Sequence, residues 1–350
     1  MNIAVLFSGG VDSSVALRLL KEQGHELTAF YLKIWLENET AFLGSCPWEE
    51  DLSYARAVCD QLDVPLQMIP FQKEYYDKVV SYTIAEIKAG HTPNPDIFCN
   101  SLIKFGAFLD TVGNQFDKVA TGHYAQICEK NGRAQLLRAP DPIKDQTYFL
   151  AKLNQEQLKR ALFPIGHLRK EQVRQLAEDF NLPTKDRKDS QGICFLGKLK
   201  FSQFIKHYLG EKPGDLIEFE TGKKLGKHKG FWYHTIGQRQ GSGLAGGPWY
   251  VVSKEPKLNR VCISRNYYSP DKHRDSFAIA NCNWIEGGVP TTTDLQVKLR
   301  HGKQLHDCKI VIGDEHSATV QLLSRDQGIA PGQFAVFYDG ERCLGSGVIV

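Results

Sequence analysis

The chain has 350 residues, of which 42% are hydrophobic and 24% are charged, and its formal net charge is +3. This composition is typical of a globular protein of two to three domains. No apolar stretch is long enough to span a membrane, and the first strand follows Met1 directly, so we expect a cytoplasmic protein without a leader peptide. Nine cysteines without a CxxC pair argue against a structural disulfide framework.

Positive charge is concentrated in the middle of the chain. Between residues 181 and 240 there are 12 Lys and Arg against six Asp and Glu, a net charge of +6. Such a basic segment in a near-neutral chain favours a polyanion such as RNA as partner, and a solvated charged surface is the alternative.

Strands and helices alternate over about the first 125 residues. The apolar patterns predict strands at 2–7, 26–34, 65–70 and 117–121, and helices at 12–23, 50–63, 71–89 and 100–112. Such a series predicts an α/β fold with a parallel sheet covered on both faces and ligands at the carboxyl ends of its strands.

The first strand leads into the heptapeptide Ser8-Gly9-Gly10-Val11-Asp12-Ser13-Ser14, which opens the first helix. Two glycines allow a sharp turn and close approach to an anion, and the hydroxyl groups surround the positive end of the helix dipole. No Lys follows the glycines, so this is not a Walker A motif, nor is it GxGxxG. The heptapeptide resembles the PP-loop of the ATP pyrophosphatase superfamily, whose members cleave ATP between the α- and β-phosphates and adenylate an oxygen.

Later elements follow different patterns. Asn131-Gly132 predicts a hairpin turn between strands at 125–129 and 134–138, and helices are expected near 154–162 and 168–179. From about residue 205 the chain is rich in glycine, lysine and aromatic residues, which indicates a small, partly β module. From about residue 275 alternating apolar residues and turn signals predict a small all-β barrel or sandwich.

Two cysteines lie in loop-forming sequence and are candidates for chemistry. Cys99 follows the turn cluster Asn94-Pro95-Asp96 near a helix start, a position that lowers the pKa of a thiol, and Cys194 follows Gly192-Ile193 in the basic segment. AMP is a good leaving group once an oxygen is adenylated. A cysteine persulfide can then deliver sulfur, and a second thiol can resolve the product by forming a disulfide. Cys46, in a polar loop, is expected to be incidental.

Several motifs in order resemble the tRNA-specific 2-thiouridylase family over the whole chain: SGGVDSS, HTPNPDIFCN, ATGHYA, KDQTYFL, DSQGICF, GKHKGFWYHTIGQR and PGQFAVFYDGERCLGSGVI. The resemblance implies three domains: a PP-loop ATP-binding catalytic domain over 1–204, a small central tRNA-contacting domain over 205–273, and a β-barrel over 274–350. It implies ATP-dependent 2-thiolation of the wobble uridine of tRNA, with release of AMP and pyrophosphate.

The resemblance also implies roles for individual residues. Cys194 would carry the persulfide, Cys99 would resolve it, and Asp12 would act in the ATP site near Mg²⁺. The nucleotide would contact the whole heptapeptide, with Leu32 and Gly122. Asn94, Pro95 and Asp96 would hold the target base, where the Asp96 carboxylate accepts a proton from the base edge.

Further tRNA contacts implied by the resemblance are His123, Lys144, Asp145, Gln146, Arg300, His301 and Gln333. From the residues alone, Lys144-Asp145-Gln146 is only a polar loop before an apolar run. Family members often carry an aromatic residue where this chain has His301, which makes that contact a weaker expectation. For the GKHKGFWYHTIGQR stretch, an RNA-gripping surface and a β module with buried aromatic residues are equal alternatives.

The expected cofactors are ATP and Mg²⁺. Asp96, Cys99 and Cys194 could instead ligate a [4Fe-4S] cluster, although a carboxylate ligand would be unusual; we favour the persulfide route. The expected partners are tRNA and a persulfide donor, either a cysteine desulfurase or a sulfur-relay protein, with a monomeric free enzyme. The alternatives are a PP-loop synthetase acting on a small molecule and an RNA-binding protein with a vestigial PP-loop.

Overall fold

The computed structural model of the chain describes residues 1–34, 47–189, 201–239 and 243–350. Cys46 and Cys194 therefore lie outside the described residues. None of the helices within these ranges is long and apolar enough to cross a membrane.

The amino-terminal part is an α/β domain built on a five-stranded parallel sheet. Its strands, in the spatial order β3-β2-β1-β4-β7, are β1 (Asn2–Leu6), β2 (Glu26–Lys33), β3 (Leu66–Pro70), β4 (Lys118–Thr121) and β7 (Ala161–Leu162). The central strand β1 is almost fully buried, because helices cover both faces of the sheet. The parallel sheet predicted from the alternating pattern is confirmed.

Helices follow the strands, as predicted. They are α1 (Val11–Glu22), α2 (Pro47–Leu62), α3 (Gln72–Tyr75), α4 (Ser81–Ala89), α5 (Pro95–Phe98), α6 (Phe108–Thr111), α7 (Thr147–Leu150), α8 (Gln155–Arg160), α9 (Lys170–Asp179) and α10 (Phe201–Leu209). π-Helical turns at Tyr76–Val80 and Cys99–Ala107 join α3 to α4 and α5 to α6. The long helical run from Pro95 thus carries Cys99 close to its beginning.

A small module follows, with its own four-stranded sheet in the order β10-β11-β8-β9. Its strands are β8 (Gly214–Glu218), β9 (Lys224–His228), β10 (Tyr250–Glu255) and β11 (Arg260–Ser264). Its apolar cluster includes Leu216, Phe231 and Trp249. The partly β module predicted from the change in composition is confirmed.

The carboxyl-terminal part is a closed barrel of six antiparallel strands. These are β12 (Arg274–Trp284), β13 (Asp294–Lys298), β14 (His306–Asp314), β15 (Ser317–Asp326), β16 (Phe334–Asp339) and β17 (Arg342–Ile349). They pair in the order β12-β15-β14-β13-β16-β17, and β17 pairs back with β12 to close the ring. Of the two predicted all-β architectures, the structure is the barrel.

The hairpin of β5 (Ala125–Lys130) and β6 (Arg133–Arg138) belongs to the first domain in sequence but extends the sheet of the barrel. Leu136 and Leu137 of β6 pair with Cys343 and Arg342 of β17. The turn is Asn131-Gly132, and both residues have positive φ, as a two-residue hairpin requires. A single hydrophobic cluster therefore runs from the α/β domain into the barrel and contains Cys99, Tyr148 and Phe334.

Candidate active site

The loop between β1 and α1 has the backbone geometry of an anion cradle. Gly9 has φ +70°, a backbone conformation that favours glycine. A Cβ there would also lie 2.2 Å from the carbonyl oxygen of Asp51, so the space too admits only glycine. Gly10 is the N-cap of α1 and contributes no capping side chain. Because the amino end of a helix attracts negative charge, this loop is suited to phosphate.

Three serine hydroxyl groups stand around the loop. The Ser13 and Ser14 hydroxyl groups donate to the carbonyl oxygen of Gly10 at 3.0 and 2.8 Å. The Ser8 and Ser13 Oγ atoms are 3.2 Å apart. These contacts hold the turn in shape around the helix start.

Residues from neighbouring strands border the loop. A Cβ at Gly122, just after β4, would lie 2.8 Å from the backbone nitrogen of Ser13, so only glycine allows this close approach to α1. Leu32 lies near the carboxyl end of β2, the strand next to β1. Val11 is 4% exposed and packs in a hydrophobic cluster with Tyr124 and Ile165. The structure thus brings the predicted nucleotide-binding residues to one edge of the sheet.

Asp12 connects the loop to two other parts of the domain. Its Oδ1 accepts hydrogen bonds from the Tyr124 hydroxyl and the Lys170 ammonium, each at 2.7 Å. Burial, together with the charge of Asp12, raises the pKa of Tyr124, so the phenol is held as a donor. Sequence reasoning identified Asp12 but neither of these partners.

A cluster of cations beside Asp12 was also missed. Asp189 accepts from Lys170 at 2.8 Å and Lys144 at 2.6 Å, and it pairs with Arg174 as well. Burial would raise the pKa of Asp189, but the hydrogen bonds from Lys144 and Lys170 outweigh it and hold that pKa well below its usual range. Asp189 is therefore ionised and ties three basic side chains together.

Arg187 fixes the other side of the loop. Its guanidinium donates to the Gly9 carbonyl at 2.5 Å and to Asp51 at 2.6 Å, and it lies 4.3 Å from the centre of the Tyr54 ring. Charge-assisted hydrogen bonds thus hold the phosphate loop at Gly9, through Arg187, and at Asp12, through Lys170. No local pattern marks these residues, since they are 136 to 178 positions from their partners.

The predicted base-binding residues lie where the α/β domain meets the barrel. The Asn94 side chain accepts from the backbone N–H of Ile97 at 3.4 Å and caps α5, with Pro95 in the first helical position. The neighbouring Thr92 N–H donates to the Pro331 carbonyl at 2.8 Å. Asn94, Pro95 and Asp96 therefore border the barrel segment that contains Gln333.

Cys99 is more buried than the sequence suggested. A turn cluster led us to expect a thiol in a cleft, but the side chain is 1% exposed and belongs to the hydrophobic cluster shared with the barrel. The turn ends at Asn94, and helix formation from Pro95 onward carries Cys99 inward.

The triplet Lys144-Asp145-Gln146, predicted to contact tRNA, makes internal contacts. Lys144 pairs with Asp189, and Gln146 Oε1 accepts from the Tyr124 backbone N–H at 2.9 Å. The Asp145 carboxylate lies 2.6 Å from the Lys298 ammonium, and both side chains are fully buried. Direct contact between tRNA and the Asp145 carboxylate, expected from the family resemblance, does not fit this arrangement, because the carboxylate is fully buried.

His123 is also buried, at 9% exposure, and its Nδ1 lies 2.7 Å from the Thr121 hydroxyl. Burial, and secondarily the charge of Lys104, holds the pKa of His123 well below its usual value, so the ring is neutral at neutral pH. The contact between Thr121 and His123 lies at the end of β4, next to Gly122.

The three barrel residues that were predicted to contact tRNA lie in different surroundings. Arg300 forms a two-pronged ion pair with Asp326, with its shorter contact at 2.7 Å, and its side chain is 46% exposed. The His301 ring stacks on Phe149 with centroids 4.6 Å apart, which places it beside the α7 segment. Gln333 has a buried Oε1 without a hydrogen-bond partner in the described part of the chain.

In the GKHKGFWYHTIGQR stretch the aromatic residues pack inward. Phe231 is buried, and the Trp232 indole and the Tyr233 hydroxyl both donate to the Gly210 carbonyl, at 3.3 and 2.7 Å. Lys227 and Lys229 are exposed. The structure therefore favours a β module with exposed lysines over a stacking surface made of these rings.

The donor atoms near the phosphate loop fit Mg²⁺. The Asp12 carboxylate and the Ser8, Ser13 and Ser14 hydroxyl groups are hard oxygen ligands, which Mg²⁺ prefers. The described residues hold no group of three His, Cys, Asp or Glu side chains arranged to bind a metal ion. Cys194, which with Asp96 and Cys99 completes the predicted ligand set for a [4Fe-4S] cluster, lies outside the described residues.

The fold and the loop define a class: α/β nucleotide-binding enzymes that hold the phosphates of ATP in a Gly-Gly loop at a helix start. Three family models match in order: the tRNA methyl transferase HUP domain at residues 1–198, the tRNA methyl transferase PRC-barrel domain at 202–265, and the aminomethyltransferase beta-barrel domain at 274–349.

Curated relatives match over the full length. The proteins named tRNA-specific 2-thiouridylase MnmA from Parabacteroides distasonis and Porphyromonas gingivalis are each 45% identical, covering 100% of this chain and 99% of theirs. The protein named tRNA-specific 2-thiouridylase MnmA 2 from Bacteroides fragilis is 45% identical over 100% of both chains. The chain belongs to the tRNA-specific 2-thiouridylase family.

Proposed function

We propose that this chain is an ATP-dependent tRNA-uridine 2-sulfurtransferase that places sulfur on C2 of the wobble uridine. The observation that carries the proposal is the 45% identity to named 2-thiouridylases over 100% of the chain. An intact phosphate loop, with Asp12, both glycines and three serines, supports the use of ATP.

The ATP half of the reaction uses the loop and its surroundings. The loop from Ser8 to Ser14 binds the phosphates, Gly122 lies against the nucleotide, and Leu32 contacts the adenine through its backbone. Asp12 is the residue that would hold Mg²⁺. When bound, this ion would neutralise part of the negative charge of the phosphates. Helix-end N–H groups oriented before ATP arrives require no reorganisation during the reaction.

The target uridine occupies the junction beside Asn94, Pro95 and Asp96. The Asp96 carboxylate accepts the proton of the base N–H, which raises electron density on O2. That oxygen attacks the α-phosphorus, pyrophosphate leaves, and the base carries AMP on its former O2. The remaining tRNA contacts are assigned to His123, Lys144, Asp145, Gln146, Arg300, His301 and Gln333, with Asp145 acting through its backbone or its neighbours.

Sulfur then replaces oxygen in two steps. The terminal sulfur of a Cys194 persulfide attacks C2, and the C2–O bond breaks with release of AMP. The Cys99 thiolate attacks Sγ of Cys194, the S–S bond to the base sulfur breaks, and 2-thiouridine leaves as a Cys99–Cys194 disulfide forms. An external dithiol reduces that disulfide, and a cysteine desulfurase or relay protein restores the persulfide.

The three domains are proposed to divide this work at the boundaries 1–204, 205–273 and 274–350. The first carries both reactive cysteines and the ATP site, and the other two grip the tRNA. The exposed Lys227 and Lys229 of the central module support electrostatic contact with the phosphate backbone.

The experiment compares C99S and C194S with the wild type, using tRNA, Mg-ATP and a persulfide donor. ATP binding should persist in both variants and 2-thiouridine formation should be lost. C128S is the matched control, because Cys128 lies in the outer hairpin strand β5 and should leave turnover unchanged. Normal turnover in either C99S or C194S would exclude the two-thiol mechanism, and ATP turnover without tRNA would favour a small-molecule synthetase.

A further inference from the structure

Lys170 is a basic residue beside the phosphate loop with no role in the chemistry derived above. It is the first residue of α9, and its backbone N–H donates to Asp141 at 3.2 Å. Its side chain is 13% exposed, and the ammonium lies 5.9 Å from the centre of the Tyr124 ring. The ammonium is thus held at the loop rather than in bulk solvent.

The ammonium bridges two carboxylates that belong to different segments. It lies 2.7 Å from Asp12 Oδ1 and 2.8 Å from Asp189 Oδ1. Asp12 is in the first turn of α1, so it borders the position that phosphate would take. Asp189 is also neutralised by Lys144 and Arg174, so it does not depend on Lys170 alone for compensation.

Arrival of a polyphosphate changes the balance of charge around Asp12. A carboxylate next to phosphate oxygens is repelled unless a cation lies between them. If Asp12 were to hold the Mg²⁺ that accompanies ATP, Lys170 would still have Asp189 as a carboxylate partner. An ammonium has three N–H donors, so a lysine held by Asp189 can still donate to a phosphate oxygen.

We propose that Lys170 binds the polyphosphate of ATP and that Asp189 is the positioning residue that keeps its ammonium at the loop. The inference rests on the proposed ATP-dependent function. It adds a phosphate-binding cation to a loop that lacks the lysine of Walker A motifs.

The first test measures the dissociation constant of α,β-methylene-ATP with Mg²⁺ by calorimetry, without tRNA. We expect K170M to weaken binding about 10- to 100-fold, since a charge-assisted hydrogen bond is lost. D189N should weaken it less, because the ammonium remains. K21M is the control, since Lys21 lies at the far end of the same helix α1 and donates to the Asp63 carbonyl.

A K170M affinity within about twofold of the wild type overturns the proposal, even if the variant unfolds at a lower temperature. A second test needs no substitution: an acyl-phosphate derivative of ATP should acylate Lys170 in the wild-type protein, and excess ATP should prevent it. Absence of ATP-competed labelling at Lys170 also overturns the proposal. Failure of the wild type to bind the nucleotide would instead contradict the proposed function itself.

Discussion

The Asp145 carboxylate and the Lys298 ammonium lie 2.6 Å apart, with both side chains fully buried between the α/β domain and the barrel. The Thr147 hydroxyl donates to the same carboxylate at 2.8 Å. The neighbours of Asp145 reach the ATP site, since Lys144 pairs with Asp189 and Gln146 pairs with Tyr124. One short segment therefore connects the barrel to the phosphate loop.

We predict that breaking this pair destabilises the protein strongly. D145N should cost about 3–5 kcal/mol, because it leaves the buried Lys298 ammonium without its carboxylate partner. K298M should cost less than D145N, because the Arg138 guanidinium remains 3.5 Å from the Asp145 carboxylate. The double variant should cost less than the sum of the two, and urea denaturation of all four proteins measures the coupling. The exposed pair Lys309 and Asp294, 3.4 Å apart, is the control and should show little coupling. Additive costs at the buried pair would contradict the account.

Gly122 provides a test of the ATP site that does not involve charge. In G122A the new Cβ would lie 2.8 Å from the Ser13 backbone nitrogen, so β4 and α1 must move apart. We expect about a tenfold loss of nucleotide affinity, measured by calorimetry. G288A is the control, since a Cβ there meets nothing within 4 Å. Equal affinities in G122A and G288A would show that the contact is unimportant.

His234 of the central module predicts a dependence of stability on pH. Burial, with smaller effects from His228 and Lys254, lowers the pKa of His234 from 6.5 to about 4. Between these values the unfolded chain binds the proton and the folded chain does not, so stability falls as pH falls through this window. The contribution approaches about 1.4 kcal/mol per pH unit.

Urea denaturation between pH 7 and pH 4 checks the prediction for His234. H234Q should show a shallower fall in stability than the wild type, because the buried titrating group is absent. H316N should follow the wild type, since the His316 side chain is 71% exposed. Parallel curves for the wild type and H234Q would refute the assignment.

The burial of Cys99 predicts slow chemical modification. Its side chain is 1% exposed, whereas Cys128 is partly exposed. Iodoacetamide should label Cys99 in the free protein about tenfold more slowly than Cys128, because a closed thiol reacts only through opening of the structure. Peptide mass spectrometry of timed samples measures both rates. Comparable rates for the two thiols would mean that Cys99 is accessible without tRNA.

Local sequence patterns were sufficient to predict the first strands and helices and the phosphate loop. The predicted first strand at 2–7 and helix at 12–23 correspond to Asn2–Leu6 and Val11–Glu22, because periodicity and glycine placement depend on near neighbours. Asn131-Gly132 likewise predicted its hairpin. Contacts between distant segments carry no such signal, so the pairing of that hairpin with β17 was not predicted.

The ion pairs around the site also join distant segments, so the sequence did not predict them. Lys170 lies in no motif, and Asp189 begins the DSQGICF motif without a predicted role; only the fold joins Asp12 and Asp189 through the Lys170 ammonium. Asp145 was expected to contact tRNA from the family resemblance alone, and its partner Lys298, 153 residues away, was not predicted. Sequence therefore predicted which residue types matter at the loop but not the ion pairs that hold them.

The most direct measurement is nucleoside mass spectrometry of unmodified tRNA after incubation with the protein, Mg-ATP and a persulfide donor. A parallel reaction uses protein reconstituted with iron and sulfide under anaerobic conditions. The account predicts that the metal-free sample gains the mass of oxygen-to-sulfur exchange on uridine. Sulfur gain only in the reconstituted sample would replace the persulfide route with a [4Fe-4S] route through Asp96, Cys99 and Cys194. Gain in neither sample would contradict the assignment as a tRNA sulfurtransferase.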